Sequence, residues 1–133
     1  MTELNHVEVV RVRYSDTDAQ GIAHHSNFFR WLEEARLAWL RDIGHPYVEL
    51  TSRGLYIPLT DCSCDFHAAV QQEDWLDIYL YVTEASRVRA GFFYEVVRRD
   101  SQKVATAITR HAYVDRAGCV VRLAPDDPFF LAV

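Results

Sequence analysis

The hydrophobic pattern of the chain begins as a strand and then becomes a helix. Residues 6–14 are rich in β-branched side chains, which favours a strand. Over residues 28–43 the apolar side chains recur every three or four positions, which predicts a long helix. We expect Ser26 or Asn27 to cap its start and Gly44 to mark its end. Apolar residues on a second face predict that the helix is largely enclosed.

The second half of the chain has the pattern of strands separated by short links. They are expected at residues 54–70, 76–83, 91–99 and 103–115. The stretch from Pro125 to Pro128 is expected to be a loop. Strands joined by short links are usually antiparallel neighbours. The order of elements therefore predicts an α+β domain, with one helix packed on one face of an antiparallel sheet.

Composition limits the classes of protein that this chain can belong to. Its 133 residues suit one domain over residues 1–133. A net charge of −5 argues against nucleic-acid binding. Three cysteines without regular spacing do not predict a disulfide framework. No signal-peptide pattern and no apolar run of membrane-spanning length are present, so a cytoplasmic protein without membrane partners is expected.

The candidate chemistry lies in the segment before the long helix. Asp16, Asp18, Gly21, His24 and His25 all fall within residues 14–28. A helix start offers unpaired backbone N–H groups, which can stabilise an oxyanion. A nearby carboxylate can act as nucleophile or general base. Acyl transfer requires both features.

Simpler interpretations of the same segment remain open at this point. Asp-x-Asp before a helix is common in turns and caps. The two histidines are also compatible with ordinary polar surface. A metal site that combines these residues with His67 has no recognised ligand spacing to support it. Cys62 or Cys64 as a nucleophile would need a histidine partner that the sequence does not identify.

The segment YSDTDAQGIAHHSNFFRWLEEARLAWLRDIG resembles the opening motif of the 4-hydroxybenzoyl-CoA thioesterase family of hotdog proteins. The resemblance extends from the strand at residues 6–14 to that at 103–115. It implies a hotdog fold, in which a curved antiparallel sheet of about five strands wraps around one long central helix. It also implies a homodimer with active sites at the subunit interface, often paired further into a homotetramer.

The resemblance assigns roles to individual residues. Asp18 matches the family's catalytic aspartate, which acts as nucleophile or general base. His25 is at the helix start, where a backbone N–H polarises the thioester carbonyl in such proteins. Gly21 matches the glycine of the preceding turn and is expected near the substrate. Arg87 and Arg89 are similar in position to residues that lie near the CoA nucleotide. The expected reaction is hydrolysis of an acyl-CoA to free acid and CoA, without metal or cofactor.

Two other activities fit the same fold expectation. A hotdog hydratase or dehydratase would pair a histidine with an acid differently. A non-catalytic acyl-CoA-binding hotdog protein would not require Asp18. The acyl group itself is left open, because Glu33, Glu34 and Arg36 stand in the helix where members specific for aromatic acids carry other groups. Coenzyme A and acyl-carrier-protein thioesters are both open as substrates.

Overall fold

One long helix and five strands form the framework of the computed structural model, which describes residues 3–133. The strands are β1 (Leu4–Arg11), β2 (Leu59–Phe66), β3 (Trp75–Ala85), β4 (Arg89–Arg98) and β5 (Lys103–Ala112). The helices are α1 (Ser26–Asp42), α2 (Tyr47–Ser52) and α3 (Pro128–Ala132), and a single 3₁₀ turn spans Tyr14–Asp16. The predicted α+β hotdog architecture is confirmed.

The five strands form one antiparallel sheet in the order β1-β3-β4-β5-β2. Strands β3, β4 and β5 are consecutive and pair as predicted. Strand β2 does not pair with β3, its neighbour in sequence, so that part of the prediction is wrong. The eight-residue link 67–74 is long enough to carry the chain from the β2 edge to the opposite side of the sheet. The exposed edges are therefore β1 and β2.

Helix α1 buries one face against the inner side of the sheet. Five of the residues on this face are Phe28, Trp31, Leu32, Ala35 and Trp39. The helix contacts β1 and β3 more than it contacts β5 and β2. Its outer face carries exposed side chains, so the helix is less enclosed than its sequence predicted. The inner side of the sheet is consequently less covered near β5 and β2.

Several element boundaries differ from those predicted. His25 precedes the first helical residue of α1, so neither Ser26 nor Asn27 is the cap. Strand β2 is half as long as residues 54–70, because the backbone around Tyr56 pairs only as an isolated bridge with Val114. Strand β1 ends at residue 11 and β5 ends at residue 112.

Neither short helix was predicted from the sequence. α2 has six residues and buries Leu50. α3 lies in the predicted terminal loop, where the Asp127 carboxylate accepts hydrogen bonds from the N–H groups of Phe129 and Phe130 and Pro128 begins the helix. Both helices are too short for the periodicity that identified α1. Among residues 3–133, no helix has the length and apolar character needed to cross a membrane.

Candidate functional site

Asp18 begins a closed turn. Its backbone N–H donates to the Ile22 carbonyl at 2.9 Å, and its own carbonyl accepts from the Gly21 N–H at 3.0 Å. One carboxylate oxygen, Oδ1, accepts a hydrogen bond from the Gln20 N–H at 2.8 Å. Gly21 has a φ of +78°, which a glycine adopts without strain. The turn therefore fixes the direction of the carboxylate and leaves Oδ2 without a protein donor in the described part of the chain.

Two backbone hydrogen bonds hold this turn against its surroundings. The Ala23 N–H donates to the Val70 carbonyl at 2.8 Å, which joins the turn to the link between β2 and β3. The His24 N–H donates to the Asp16 carbonyl at 3.0 Å, which joins the helix start to the 3₁₀ turn. Asp18, the start of α1 and the end of β2 are thereby held together.

The first backbone N–H groups of the helix differ in their partners. The Ser26 N–H donates to Nδ1 of His24 at 3.2 Å, and the Asn27 N–H donates to the His24 carbonyl at 3.0 Å. The Phe28 N–H donates to the His25 carbonyl at 3.1 Å. The His25 N–H has no acceptor among residues 3–133. It is an unpaired donor at the positive end of a 17-residue helix.

Asp18 and His25 line the same open pocket, which has a volume of about 420 Å³. Its apolar wall includes Phe28 and Phe66, whose rings meet edge to face with centroids 5.0 Å apart. His67 also lines the pocket. The structure thus brings together the two residues that the sequence assigned to catalysis.

Asp16 has a structural environment that the sequence did not reveal. It is only 3% exposed, and its Oδ1 lies 2.6 Å from Nη2 of Arg30. Its Oδ2 accepts from the Arg13 N–H at 2.9 Å. Asp16 therefore joins the 3₁₀ turn to helix α1. No cluster of three potential metal ligands is found within residues 3–133.

The three predicted substrate-binding residues lie outside the walls of this pocket. Gly21 is in the Asp18 turn, where it allows the backbone to close. Arg87 lies in the connection between β3 and β4, and Arg89 is the first residue of β4. Arg87 donates through Nε to the Leu123 carbonyl at 2.6 Å, and Arg89 lies 3.6 Å from Glu84. Their roles in binding substrate remain predictions.

A second, larger cavity of about 610 Å³ lies between α1 and the less covered side of the sheet. Its walls are mostly apolar, but Arg36, Thr109 and His111 also line it. None of the motifs in the sequence predicts this site. One available signal was the alternation in β5, which places Thr109 and His111 on the same buried face as Ala107.

The polar residues of this cavity form a chain of hydrogen bonds. Arg36 donates to the Tyr94 hydroxyl at 3.1 Å, which lies 2.7 Å from the Thr109 hydroxyl. The Thr109 hydroxyl lies 3.1 Å from Nε2 of His111. Burial, and secondarily the charge of Arg36, lowers the pKa of His111 from 6.5 to about 4. His111 is therefore a neutral imidazole at physiological pH.

Comparisons with known proteins extend over most of the chain. The model of the thioesterase-like superfamily matches residues 12–132. A putative esterase of Aquifex aeolicus is 40% identical over 104 residues, which cover 78% of this chain and 80% of that protein. The 1,4-dihydroxy-2-naphthoyl-CoA hydrolase of Prochlorococcus marinus is 32% identical over 115 residues, covering 78% and 72%.

Solved structures give the same result for the fold. The 1,4-dihydroxy-2-naphthoyl-CoA thioesterase of Synechocystis matches with a TM-score of 0.86 and 26% identity, over 96% of this chain and 93% of that one. A structure from Aquifex aeolicus matches with a TM-score of 0.84 and 37% identity, over 89% and 92%. The family match includes the Asp18 turn, α1 and strands β2 to β5.

Proposed function

Because this chain belongs to the thioesterase-like superfamily and is a thioester hydrolase, we propose that it cleaves acyl-coenzyme A at the Asp18 pocket. The products are the free acid and CoA. One observation carries the proposal: Asp18 and His25, whose N–H has no acceptor among residues 3–133, line the same pocket of about 420 Å³. An acid and an oxyanion donor are the two groups that acyl transfer requires.

The chemistry follows from what each group can do. The His25 N–H donates to the thioester carbonyl oxygen and stabilises the negative charge that develops there. The Asp18 carboxylate either takes a proton from the attacking water or attacks the carbonyl carbon itself. In both cases the carbon–sulfur bond breaks, and the CoA sulfur leaves with a proton that comes ultimately from water. When Asp18 itself attacks, the acyl group is first held on Asp18 as an anhydride, and water then hydrolyses this anhydride to release the free acid and restore the carboxylate. Neither route needs a metal or cofactor.

The CoA nucleotide would lie toward the connection between β3 and β4 of a second copy, because within one copy this connection is at the far end of β3 from the Asp18 pocket. Arg87 and Arg89 are placed there, and arginine pairs well with phosphate. The guanidinium of Arg89 is only loosely paired, at 3.6 Å from Glu84. We propose that these two arginines bind the phosphates of the CoA nucleotide.

Strand β2 supports an assembly of two copies. It pairs with β5 on one side, and its other side is an open edge among the described residues. Its Leu59 and Phe66 side chains are 49% and 46% exposed. Unpaired backbone groups and exposed apolar side chains on an edge favour pairing with another strand. We infer that two copies join through β2, with the active sites near this interface.

The test is hydrolysis of a panel of acyl-CoA and aroyl-CoA thioesters, followed by detection of the released thiol. The aroyl members are included because a relative at 32% identity is a dihydroxynaphthoyl-CoA hydrolase. Asp18→Asn should reduce kcat by about 10²- to 10⁴-fold, because an amide neither ionises nor takes a proton. Its Oδ1 still accepts the Gln20 N–H, so the turn is kept.

Asp115→Asn is the matched control for this substitution. Asp115 also lies in a turn, where its Oδ1 accepts hydrogen bonds from the Ala117 and Cys119 N–H groups, and it does not line the Asp18 pocket. Its Asn variant should keep wild-type kcat. If no thioester in the panel is cleaved, or if Asp18→Asn keeps more than about a tenth of kcat, the proposal is wrong.

A further inference from the structure

The large cavity has an apolar body and one polar wall. It follows α1 from Phe29 to Leu40, a length of about 16 Å at the helical rise per residue. Aromatic side chains form much of its surface, including Trp39, Phe92 and Tyr113. A volume of about 610 Å³ is within the range of small-molecule sites. The cavity is therefore suited to the apolar part of an organic ligand.

Arg36 supplies a positive charge to this cavity. Its guanidinium makes one side-chain hydrogen bond, to Tyr94, and no ion pair with any carboxylate among residues 3–133. Arg30 also lines the cavity, but it is paired with Asp16 and Glu34. Glu33 lines the cavity too. Its side chain is exposed and forms no ion pair among residues 3–133. Arg36 is thus the half-buried cation that remains available to an anion.

The hydrogen-bond chain behind Arg36 fixes its orientation. With neutral His111, Nδ1 donates to the Ile57 carbonyl at 3.4 Å and Nε2 accepts from Thr109. Thr109 then accepts from Tyr94, whose oxygen accepts from Arg36. Each group in this chain donates to the next one away from Arg36, so the Tyr94 oxygen is free to accept from Arg36. This hydrogen bond holds one guanidinium N–H in place. The other N–H groups are left for a ligand.

The cavity and the Asp18 pocket lie at opposite ends of β2. The pocket is bordered by Phe66 and the cavity by Leu59, roughly 23 Å apart along the strand. When two β2 strands pair antiparallel about a two-fold axis, the Phe66 end of one comes beside the Leu59 end of the other. The Asp18 pocket of one copy then adjoins the cavity of the second copy.

We propose that this cavity receives the far end of the acyl group and that Arg36 selects acyl chains ending in a carboxylate. The substrate class is the mono-CoA thioester of a dicarboxylic acid. The inference rests on the proposed thioesterase function and extends it to the substrate. The thioester lies at Asp18 of one copy, the chain follows the aromatic wall of the second, and the terminal carboxylate meets Arg36 there.

The experiment compares thioesters that differ only at the far end. Matched sets with six, eight and ten carbons carry a terminal methyl, hydroxyl or carboxylate group. The wild type should prefer the carboxylate by about tenfold or more in kcat/KM in at least one set. Arg36→Gln should abolish this preference and leave hydrolysis of the methyl-ended thioester within about twofold. Arg36→Lys, which keeps the charge, should retain part of the preference.

Two results would overturn the inference. One is a wild type that shows no preference for the carboxylate at any of the three lengths. The other concerns Arg36→Gln. The inference fails if this variant still prefers the carboxylate-ended thioester, or if it loses the same factor in kcat/KM on the methyl-ended and the carboxylate-ended thioesters. If Arg36→Gln fails to fold, Tyr94→Phe serves instead. It removes the anchor of Arg36 and should weaken the preference, and an unchanged preference counts against the inference.

Binding separates this inference from the proposed function. Calorimetry with octanoate and octanol needs no hydrolysis and compares a carboxylate with a hydroxyl on the same chain. The wild type should bind octanoate more tightly, and Arg36→Gln should bind the two alike. This result would uphold the Arg36 site even if no thioester were cleaved. Equal binding of the two ligands by the wild type would reject the site.

The placement across two copies has its own test. A mixed dimer has one chain with Asp18→Asn and one chain with Arg36→Gln. If each site takes Asp18 from one chain and Arg36 from the other, one of its two sites carries both substitutions and the other site carries neither. Such dimers should therefore show the carboxylate preference and about half of wild-type kcat. Mixed dimers that hydrolyse without the preference would reject the placement.

Discussion

Asp16 and Asp18 stand two residues apart and have different surroundings. Asp16 is buried and ion-paired with Arg30, whereas Asp18 is exposed and lines a pocket. The sequence pattern around Asp16 is typical of a turn. In the structure it also connects that turn to α1, which makes Asp16→Asn a poor control for the catalytic substitution.

We predict that Asp16→Asn lowers the free energy of unfolding by about 2 kcal/mol. Breaking a fully buried ion pair costs more than this, but the Arg30 side chain is 37% exposed and can recover some hydration. Glu34→Gln is the control, since it removes the other, exposed partner of Arg30 and should cost less than about 0.5 kcal/mol. Urea denaturation of both variants measures the difference, and equal stabilities would contradict this account of Asp16.

We predict that the backbone of His25 matters more for activity than its imidazole. His25→Ala should keep kcat within about tenfold, because the N–H remains. His25→Pro should lose far more, because proline has no N–H, while its fixed φ suits the φ of −58° at this residue. Circular dichroism of both variants checks the fold. A thousandfold loss in a well-folded His25→Ala variant would instead assign the role to the imidazole.

At the scale of elements, strand β5 carries a titratable group inside the protein. His111 has a pKa of about 4 in the folded protein and near 6.5 when exposed. The unfolded chain therefore binds a proton more readily between these values. The contribution of His111 to the stability of the folded protein is full above pH 6.5 and is lost as the pH falls toward 4.

We predict that this titration costs roughly 3 kcal/mol of stability between pH 6.5 and 4. His111→Gln should flatten the dependence over that range, because glutamine does not titrate. Thermal melts at a series of pH values give the comparison. An unchanged slope in His111→Gln would show that His111 is not the group responsible.

The edge position of β2 connects the element scale to the whole molecule. Cys62, Cys64 and Phe66 pair in register with Thr109, Ala107 and Ala105, which are buried. They share the inner face of the sheet, yet Cys62 and Phe66 are exposed. Apolar side chains on an inner face are expected to be covered, and a second copy placed along β2 would cover them.

We predict a particle of at least twice the 15.4 kDa chain mass by light scattering at micromolar concentration. Cys62→Asp places a charge on the exposed inner face of β2 and should shift the particle toward the monomer, with loss of activity. Cys119→Asp, at an exposed cysteine outside the sheet, should change neither. A fully active wild-type monomer would refute the assembly and the composite site together.

The sequence determined the elements whose pattern is local. Apolar spacing over residues 28–43 identified α1, and alternation identified β3, because one buried face imposes a period on each element. The order of residues from Asp18 to His25 located the candidate site, since a turn followed by a helix start is local. The resemblance carried by that segment pointed to the hotdog fold and the thioesterase family.

Only the tertiary structure decided what distant residues do together. It placed β2 at an edge beside β5, although β3 follows it in sequence, because the link 67–74 crosses the molecule. It buried Asp16 against Arg30 while leaving Asp18 exposed. It also joined Arg36 on α1 to His111 on β5 through two hydroxyl groups. Contacts between residues far apart in the chain leave no periodic signal, since their partners are chosen by packing.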